Sequence, residues 1–591
     1  MNNFLNGILN KGKSFLRSFF YIEKWKENKS KRPQKKQLTS FLKIISKPEK
    51  ILFILFLITL PLSGILWARL YYLESTKIVP QEGGVITETM IGQPQSLNPL
   101  LGALNDADRD ISQLIYAGLL KYDNNGSLKE NLAEKYEVSS DGKIYTFTLK
   151  KNLFWSDGKK ITINDIFFTF ENIQNPETQS PLRMVFQDVN LEKIDEKNIR
   201  FVLESPYSYF LENFTFGIIP QHIFKNIPPT ELSITLPKEF ANSGPFKVKK
   251  VNKNQEEKIE SVFLEKNEKY YQNTYLNGFD LFFVETEEDL IARRKKSTSL
   301  AGISAKNKNK VGKSFQLHSL ALPRYFALFL NQENKIINSK EIKEAMTLAT
   351  PKDEIIERVF LNEARKVDSA FLPENNIEGE YKKYDFDIEA AKKILEENNW
   401  KDTNNDGVRE KVIEEGQDPI ALNFTIFTVN QAELSSAARI IEKSWKEAGI
   451  KIEVKPLPPQ ELLQTIIKER KYDILLFGQS LMMVPEPYPF WHSSQIKYPG
   501  LNLSLYKNND LDKLLDEERK ETSSEKRMAL LQNIQQKIAE DIPAIFLYSP
   551  NYVYPVKKNV KNINTKYILD PSKRFTDVEN WYIKEKRIPK E

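Results

Sequence analysis

Residues 51–68, ILFILFLITLPLSGILWA, run apolar without a charge, which predicts one membrane-spanning helix over 51–73. A polar stalk follows at 74–82, and Gly83 to Thr89 reads as a strand entering a folded body. Residues 136–163 alternate apolar and polar around two turns, Asp141-Gly142 and Asp157-Gly158, as antiparallel strands do. Asn164 or Asp165 is placed to cap the next helix, IFFTFENI, whose phenylalanines are expected in a core. Lys193 to Glu204 again has hairpin character, so this part is α+β. Further on, Leu422–Thr428, Ile450–Val454 and Tyr472–Phe477 read as strands. They are separated by a helix carrying Leu434, Ala437, Ala438, Ile441, Trp445 and Ala448, and by a second helix opened by Pro458-Pro459. Asn430 with Glu433 forms a capping pattern for the first of these, and Gly449 ends it. This βαβαβ unit predicts a parallel sheet, and such sheets bind ligands beyond the carboxyl ends of their strands. The segment 478–495, GQSLMMVPEPYPFWHSSQ, leaves one of those ends and is the first candidate for ligand contact. Helices at Asp510–Lys520 and, after the capping pattern Thr522/Glu525, at Met528–Glu540 lead to a last strand at Ile545–Tyr548.

Charge sets the compartment. The chain has 591 residues and net charge +6, yet residues 1–50 hold 13 Lys/Arg against three Glu, leaving the remainder at −4. Lysines 43, 47 and 50 precede the apolar run, and Trp67, Tyr71 and Tyr72 mark its far interface. The positive-inside rule therefore keeps the basic arm (1–50) cytoplasmic and sends the body outside, giving a single-pass cell-membrane protein with its partner bilayer at 51–73. A cleaved signal peptide is disfavoured by the long charged region and by the lack of a small-residue cleavage site. The tract KSKRPQKK at 29–36 can rest on anionic lipid. A slightly acidic body argues against nucleic acid as a partner.

Little catalytic chemistry is available. With no cysteine, disulfides, thiolate catalysis and cysteine-held metals are excluded. The three histidines, His222, His318 and His492, have no ligand spacing, and neither a nucleophile–base motif nor a Gly-rich phosphate loop occurs. No cofactor, metal or enzymatic activity is expected. Asp402-Thr403-Asn404-Asn405-Asp406-Gly407 starts like a calcium loop, but position twelve is Ile413, so it reads as a polar turn. The basic and aromatic residues at 557–566 read as solvated surface.

Eight segments, in order, resemble the family 5 extracellular solute-binding proteins, the oligopeptide- and dipeptide-binding components of ABC importers. They are GQPQSLNP (92–99), AGLLKYDNNGSLKENLAEKYEVSSDGKIYTFTLKKNLFWSDGKKITINDIFFT (117–169), SGPF (243–246), NEKYYQN…LNGFD (267–280), IKEAMTLAT (342–350), YDFDIEAAKKILEENNWKDTNNDGVRE (384–410), the 478–495 segment, and RMALLQNIQQKIAEDIPAIFLYSP (527–550). The resemblance implies an α/β periplasmic-binding-protein-like fold of two lobes around a cleft. Lobe one would comprise 83–325 and 549–591, with an α+β subdomain inserted at about 104–222, and lobe two would comprise 326–548. It implies peptide or a related solute as ligand and permease subunits of an ABC transporter as partners. The peptide would be paired as an added strand, with its side chains in hydrated pockets. The implied ligand-binding residues are Leu101, Gly102, Ala103, Leu104, Asn105, Arg324, Tyr325, Gly478, Gln479, Ser480, Leu481, Met482, Met483, Val484, Glu486 and Tyr488. Val484 stands where many members place the aspartate that meets the peptide ammonium, with Glu486 two residues away as a substitute. Tethering by a helix, in place of the family's usual lipidated cysteine, would raise the binder's concentration at its permease. The alternatives are a ligand-sensing receptor, for which the short arm leaves little signalling apparatus inside, and an exoplasmic hydrolase, which lacks a nucleophile–base pattern.

Overall fold

A computed structural model describes residues 46–101, 105–232, 235–237, 239–375, 377, 379–413, 415 and 417–590. They form two compact units. One takes in the described residues up to Val79 together with 586–590, and the other is Pro80–Glu585. Most of the basic arm lies outside the described residues.

The first unit is built on the helix Lys47–Ser75. Its span Lys50–Ser75 has a mean hydropathy of 2.4 and is long and apolar enough to cross a membrane. Pro61 sits inside it, and Ser63 Oγ returns a hydrogen bond to Leu60 O at 2.8 Å. The segment expected as a stalk is instead a strand, Thr76–Gln81, in a two-stranded sheet with Lys584–Pro589. Arg587 donates to Thr76 Oγ1 at 2.8 Å there.

The two largest sheets of the second unit each lie over their own core. The seven-stranded sheet runs Phe315–Leu320, Tyr552–Lys557, Ser299–Ala301, Val85–Ile91, Gly278–Val284, Ile259–Lys266, Phe246–Lys253. The six-stranded sheet runs Ala364–Lys366, Ala544–Pro550, Arg324–Leu330, Ile474–Ser480, Asn423–Val429, Lys451–Leu457. The chain passes from the first sheet to the second through Ala321–Pro323 and returns through Asn551. Asn423–Val429 lies parallel to both Lys451–Leu457 and Ile474–Ser480, so the βαβαβ unit read from the sequence is present. The intervening helix, Ala432–Glu447, buries Leu434, Ala437, Ala438, Ile441 and Trp445 against the sheet, as 3.6-residue periodicity requires. Its N-cap is Gln431, without a side-chain bond. Asn430 is drawn into the sheet through its N–H to Leu457 O at 2.7 Å, so the expected Asn430/Glu433 cap does not form. After Pro458 only Pro459–Glu461 is α-helical before a π-helical stretch, Leu462–Ile467.

A third, antiparallel sheet of Ala133–Val138, Ile144–Leu149, Asn198–Val202 and Asn190–Lys193 carries the helix Ile163–Gln174. Phe147, Phe170, Phe201 and Phe214 interlock between them. Thr162 caps this helix, and Asp165 closes a capping box from the third position, a pairing that satisfies two otherwise orphaned N–H groups. The helix Ser524–Asp541 starts after Ser523 with no side-chain cap, so the Thr522/Glu525 pattern is also unused.

An ion network anchors the core of the seven-stranded sheet. Arg574, with no exposed surface, forks onto Asp110 at 2.8 and 2.7 Å and onto Glu88 at 2.5 Å. Ser299 and Tyr554 hydroxyls donate to the other Glu88 oxygen at 2.7 Å each. Each carboxylate so far from water needs these donors, because an unpaired buried charge costs several kcal/mol.

Candidate ligand cleft

The central pair of the six-stranded sheet places Arg324 opposite Ser480, Tyr325 opposite Gln479 and Phe326 opposite Gly478. Alternation along a strand sends these residues to opposite faces. Tyr325 and Gln479 turn inward: both are buried, the Tyr325 hydroxyl donates to Gln479 Oε1 at 2.5 Å, and Gln479 Nε2 holds Leu501 O at 3.0 Å. Arg324, Phe326, Gly478 and Ser480 line a cavity of 230 Å³ with Val429 and Gln431. Gly478 is needed there, since a Cβ would stand 2.8 Å from the Phe326 ring. The parallel ladder with Asn423–Val429 ends at Thr428–Leu476, so one backbone edge of Phe477–Ser480 lies beyond it. Arg324 Nε is buried without a hydrogen-bond partner, and among the described residues Arg324 forms no ion pair. Burial pulls its proton affinity below the ordinary arginine value, while the charge of Asp106 raises it.

Asp106 begins the helix Asp106–Ile115, which belongs to the other core. Asn105 caps this helix through its side chain and donates Nδ2–H to Gln93 O at 2.6 Å. Asp108 accepts from the backbone N–H groups of Gln95, Ser96 and Leu97, which fixes the loop before it. Leu101 is packed in the core, and Gly102, Ala103 and Leu104 lie outside the described residues. On the face of this helix set by i, i+3, i+4 spacing, Arg109, Ser112 and Gln113 line a second cavity, of 240 Å³, together with Tyr116, Phe216 and Lys573. Lys573 Nζ donates to Gln113 Oε1 at 2.7 Å. Arg109 is held by Asp106 at 2.6 Å.

Beyond Ser480 the chain crosses between the two cores. Leu481 N–H donates to Pro323 O at 2.6 Å, and Met482 and Val484 are half-buried. Met483 packs over Gly126 and beside Tyr567: a Cβ on Gly126 would lie 2.3 Å from Met483 Cε. Glu486 does not present a free carboxylate to a ligand ammonium, because one oxygen accepts from Tyr207 at 2.7 Å and the other from Arg519 Nε at 3.1 Å. Tyr488 lies under the Arg519 guanidinium at 4.6 Å and stacks on His492 at 4.4 Å. Next to this contact, the Tyr209 hydroxyl lies 2.7 Å from Pro485 O and also hydrogen-bonds Glu518. Burial raises the Glu518 carboxyl from its ordinary 4.5 to about 7, against the opposing pull of Tyr209 and Arg527.

Sequence reasoning missed Arg109, Ser112 and Lys573, and also the Tyr207, Tyr209, Glu518 and Arg519 contacts. The 109/112/113 spacing was available; nothing local points to Lys573, 460 positions from its partner. The polar turn at 402–407 does bring carboxylate oxygens of Asp402, Asp406 and Glu410 within 4.8 Å of one another. Those of Asp402 and Asp406 accept backbone N–H groups, and Glu410 accepts from Thr403.

Residues 127–499, more than half of the chain, match the family described as bacterial extracellular solute-binding proteins, family 5 Middle. The chain is a family 5 solute-binding protein. Over 523 residues this solute-binding protein is 27% identical to the oligopeptide-binding protein AppA of Bacillus subtilis (strain 168), covering 85% of this chain and 92% of AppA. The solved structure of AppA from Bacillus subtilis in complex with a nonapeptide superposes with a TM-score of 0.63 at 25% identity, covering 85% of this chain and 99% of that one. The ABC transporter substrate-binding protein CtaP of Listeria monocytogenes shares the fold with a TM-score of 0.70 at 24% identity, over 85% and 99% of the two chains. The solute-binding fold is thus mixed α/β, as the sequence predicts.

Proposed function

We propose that this solute-binding protein captures peptides between its two lobes and hands them to the permease of an ABC importer, while the helix Lys47–Ser75 holds it to the outer face of the cell membrane. The observation that carries this reading is the pairing of a half-buried guanidinium, Arg324, whose Nε is buried without a partner, with the backbone edge of Phe477–Ser480 along one cavity wall. A peptide added along that edge gains main-chain hydrogen bonds that are blind to its sequence, and a ligand carboxylate supplies the charge Arg324 lacks. The peptide-bound relative supports the reading. Binding and release suffice for this role, so it calls for no catalytic group. Leu101, Tyr325 and Gln479 support the site from the core, and Glu486 and Tyr488 act at the contact between lobes. Mass spectrometry of material co-purifying with the full chain should identify peptides, and Arg324→Ala should weaken their binding about 10- to 100-fold by calorimetry. Co-purification of only non-peptide solutes, or undiminished affinity in the variant, would overturn the reading. Tethering is tested by carbonate extraction of membranes, which should leave the chain in the pellet.

A further inference from the structure

The cavity beside the helix Asp106–Ile115 has a one-sided hydrogen-bond inventory. Of its lining groups, the buried atoms without a partner are Arg109 Nε and Ser112 Oγ, and Arg109 Nε–H can only donate. Lys573 adds a third donor. Its Nζ is met by neutral oxygens, Gln113 Oε1 at 2.7 Å and Thr215 O at 3.5 Å, so an ammonium with three N–H bonds lacks a carboxylate in contact. Burial lowers its proton affinity while Asp570 nearby raises it. Asp570 itself is occupied as an N-cap, accepting from Ser572 N–H at 2.9 Å and Ser572 Oγ at 2.5 Å, and it meets Arg109 Nη1 only at 4.0 Å. The remaining cation on the wall, Lys121, is neutralised by Glu579 at 2.5 Å. Tyr116, Phe216 and Phe575 add apolar surface to the wall, which weakens the screening of a charged pair formed against it.

Donors in excess, a low-dielectric wall and 240 Å³ of space suit a short side chain that ends in acceptors. We infer that this cavity is a specificity pocket for an acidic side chain of the bound peptide, aspartate or glutamate, whose carboxylate is held by Lys573, Ser112 and Arg109. The inference rests on the peptide reading above and adds to it a preference among peptides. The pocket lies near the cleft because Asp570 on its wall follows Ile568, whose N–H donates to Ala321 O at 2.9 Å, just before Arg324 in the chain. A peptide whose own carboxylate lies on Arg324 would thus carry its second negative charge toward Lys573.

The test uses the full chain in detergent and a random hexapeptide library, with captured peptides sequenced by mass spectrometry. Captured peptides should be enriched in Asp and Glu at one position about fivefold or more over the input, the scale set by a charge-assisted hydrogen bond. Lys573→Met should abolish the enrichment, and Lys573→Arg should retain most of it. Ser112→Ala, which removes only a hydroxyl, should reduce it even where Lys573→Met fails to fold. Captured peptides without acidic enrichment would overturn the pocket assignment and leave peptide capture standing. Enrichment that survives both Lys573→Met and Ser112→Ala would place the acidic preference elsewhere. Capture of no peptide would overturn the peptide reading, and this inference with it.

Discussion

Closure of the cleft should be proton-linked through Glu518. The Tyr209 hydroxyl touches Pro485 O and Glu518 at once, but a phenol has one proton and a carbonyl only accepts. Both contacts are hydrogen bonds only when the Glu518 carboxyl carries a proton and donates it to Tyr209, which then donates to Pro485. The groups around it are Arg527 and Arg519, which favour ionisation, and Glu486, which opposes it. With this contact made, burial raises the carboxyl to about 7, and an opening that exposed it would return it toward 4.5. The closed form therefore binds the extra proton. Its contribution is full below about pH 4.5 and is lost as pH rises through about 7. Between about pH 5.5 and about pH 7.5 that shift is worth about 2 kcal/mol, or about 20-fold in the closure equilibrium. Ligand affinity measured by calorimetry on the full chain should fall by this factor across the interval. Small-angle scattering of the ligand-free protein should show the matching expansion. Glu518→Gln keeps a donor and removes the titration, so its profile should be flat near the low-pH value. Glu212, which burial also raises to about 7, is common to both proteins and cancels in the comparison. Parallel profiles for wild type and Glu518→Gln would refute the proton accounting.

Three further outcomes follow from the same geometry. Arg574→Met leaves Glu88 and Asp110 buried without a counter-charge and should cost about 3–5 kcal/mol in urea unfolding. Gly126→Ala, at φ +81° and against Met483 Cε, should weaken closure in scattering, with partial recovery in the Gly126→Ala/Met483→Ala double variant. Gly478→Ala should push the Phe326 ring into the ligand cavity and lower peptide affinity several-fold by calorimetry, with a cost in stability of about 1–3 kcal/mol typical of overpacking.

Local pattern carried much of this architecture and little of its long-range chemistry. The strands and helix of the βαβαβ unit were legible because Ile426, Trp445, Ile452 and Ile474 keep a strict periodicity and are all buried. Helix starts were less so. Asn430, Asn164 and Thr522 are good capping residues in isolation, yet neighbouring Gln431, Thr162 and Ser523 hold the N-cap positions. Tertiary bonds such as Asn430 N–H to Leu457 O outrank the ~1 kcal/mol that a capping side chain contributes. The cavity wall at Phe477–Ser480 was legible because it lies where a strand of a parallel sheet ends. The contact of Glu486 with Tyr207 was not legible because the two are 279 positions apart, and Lys573 was missed for the same reason.

The interleaving of the seven-stranded sheet has a consequence for biogenesis. Val85–Ile91 and Tyr552–Lys557 flank the same short strand, Ser299–Ala301, and Arg574 closes the charge network on Glu88. Whatever order the amino-terminal strands emerge in, that layer stays incomplete until Tyr552–Lys557 has been translated. The six-stranded layer, drawn from one continuous stretch between Arg324 and Pro550, has all its strands earlier. A ribosome stalled shortly before Tyr552 would present one finished half and one waiting half, the latter exposed to quality-control proteases.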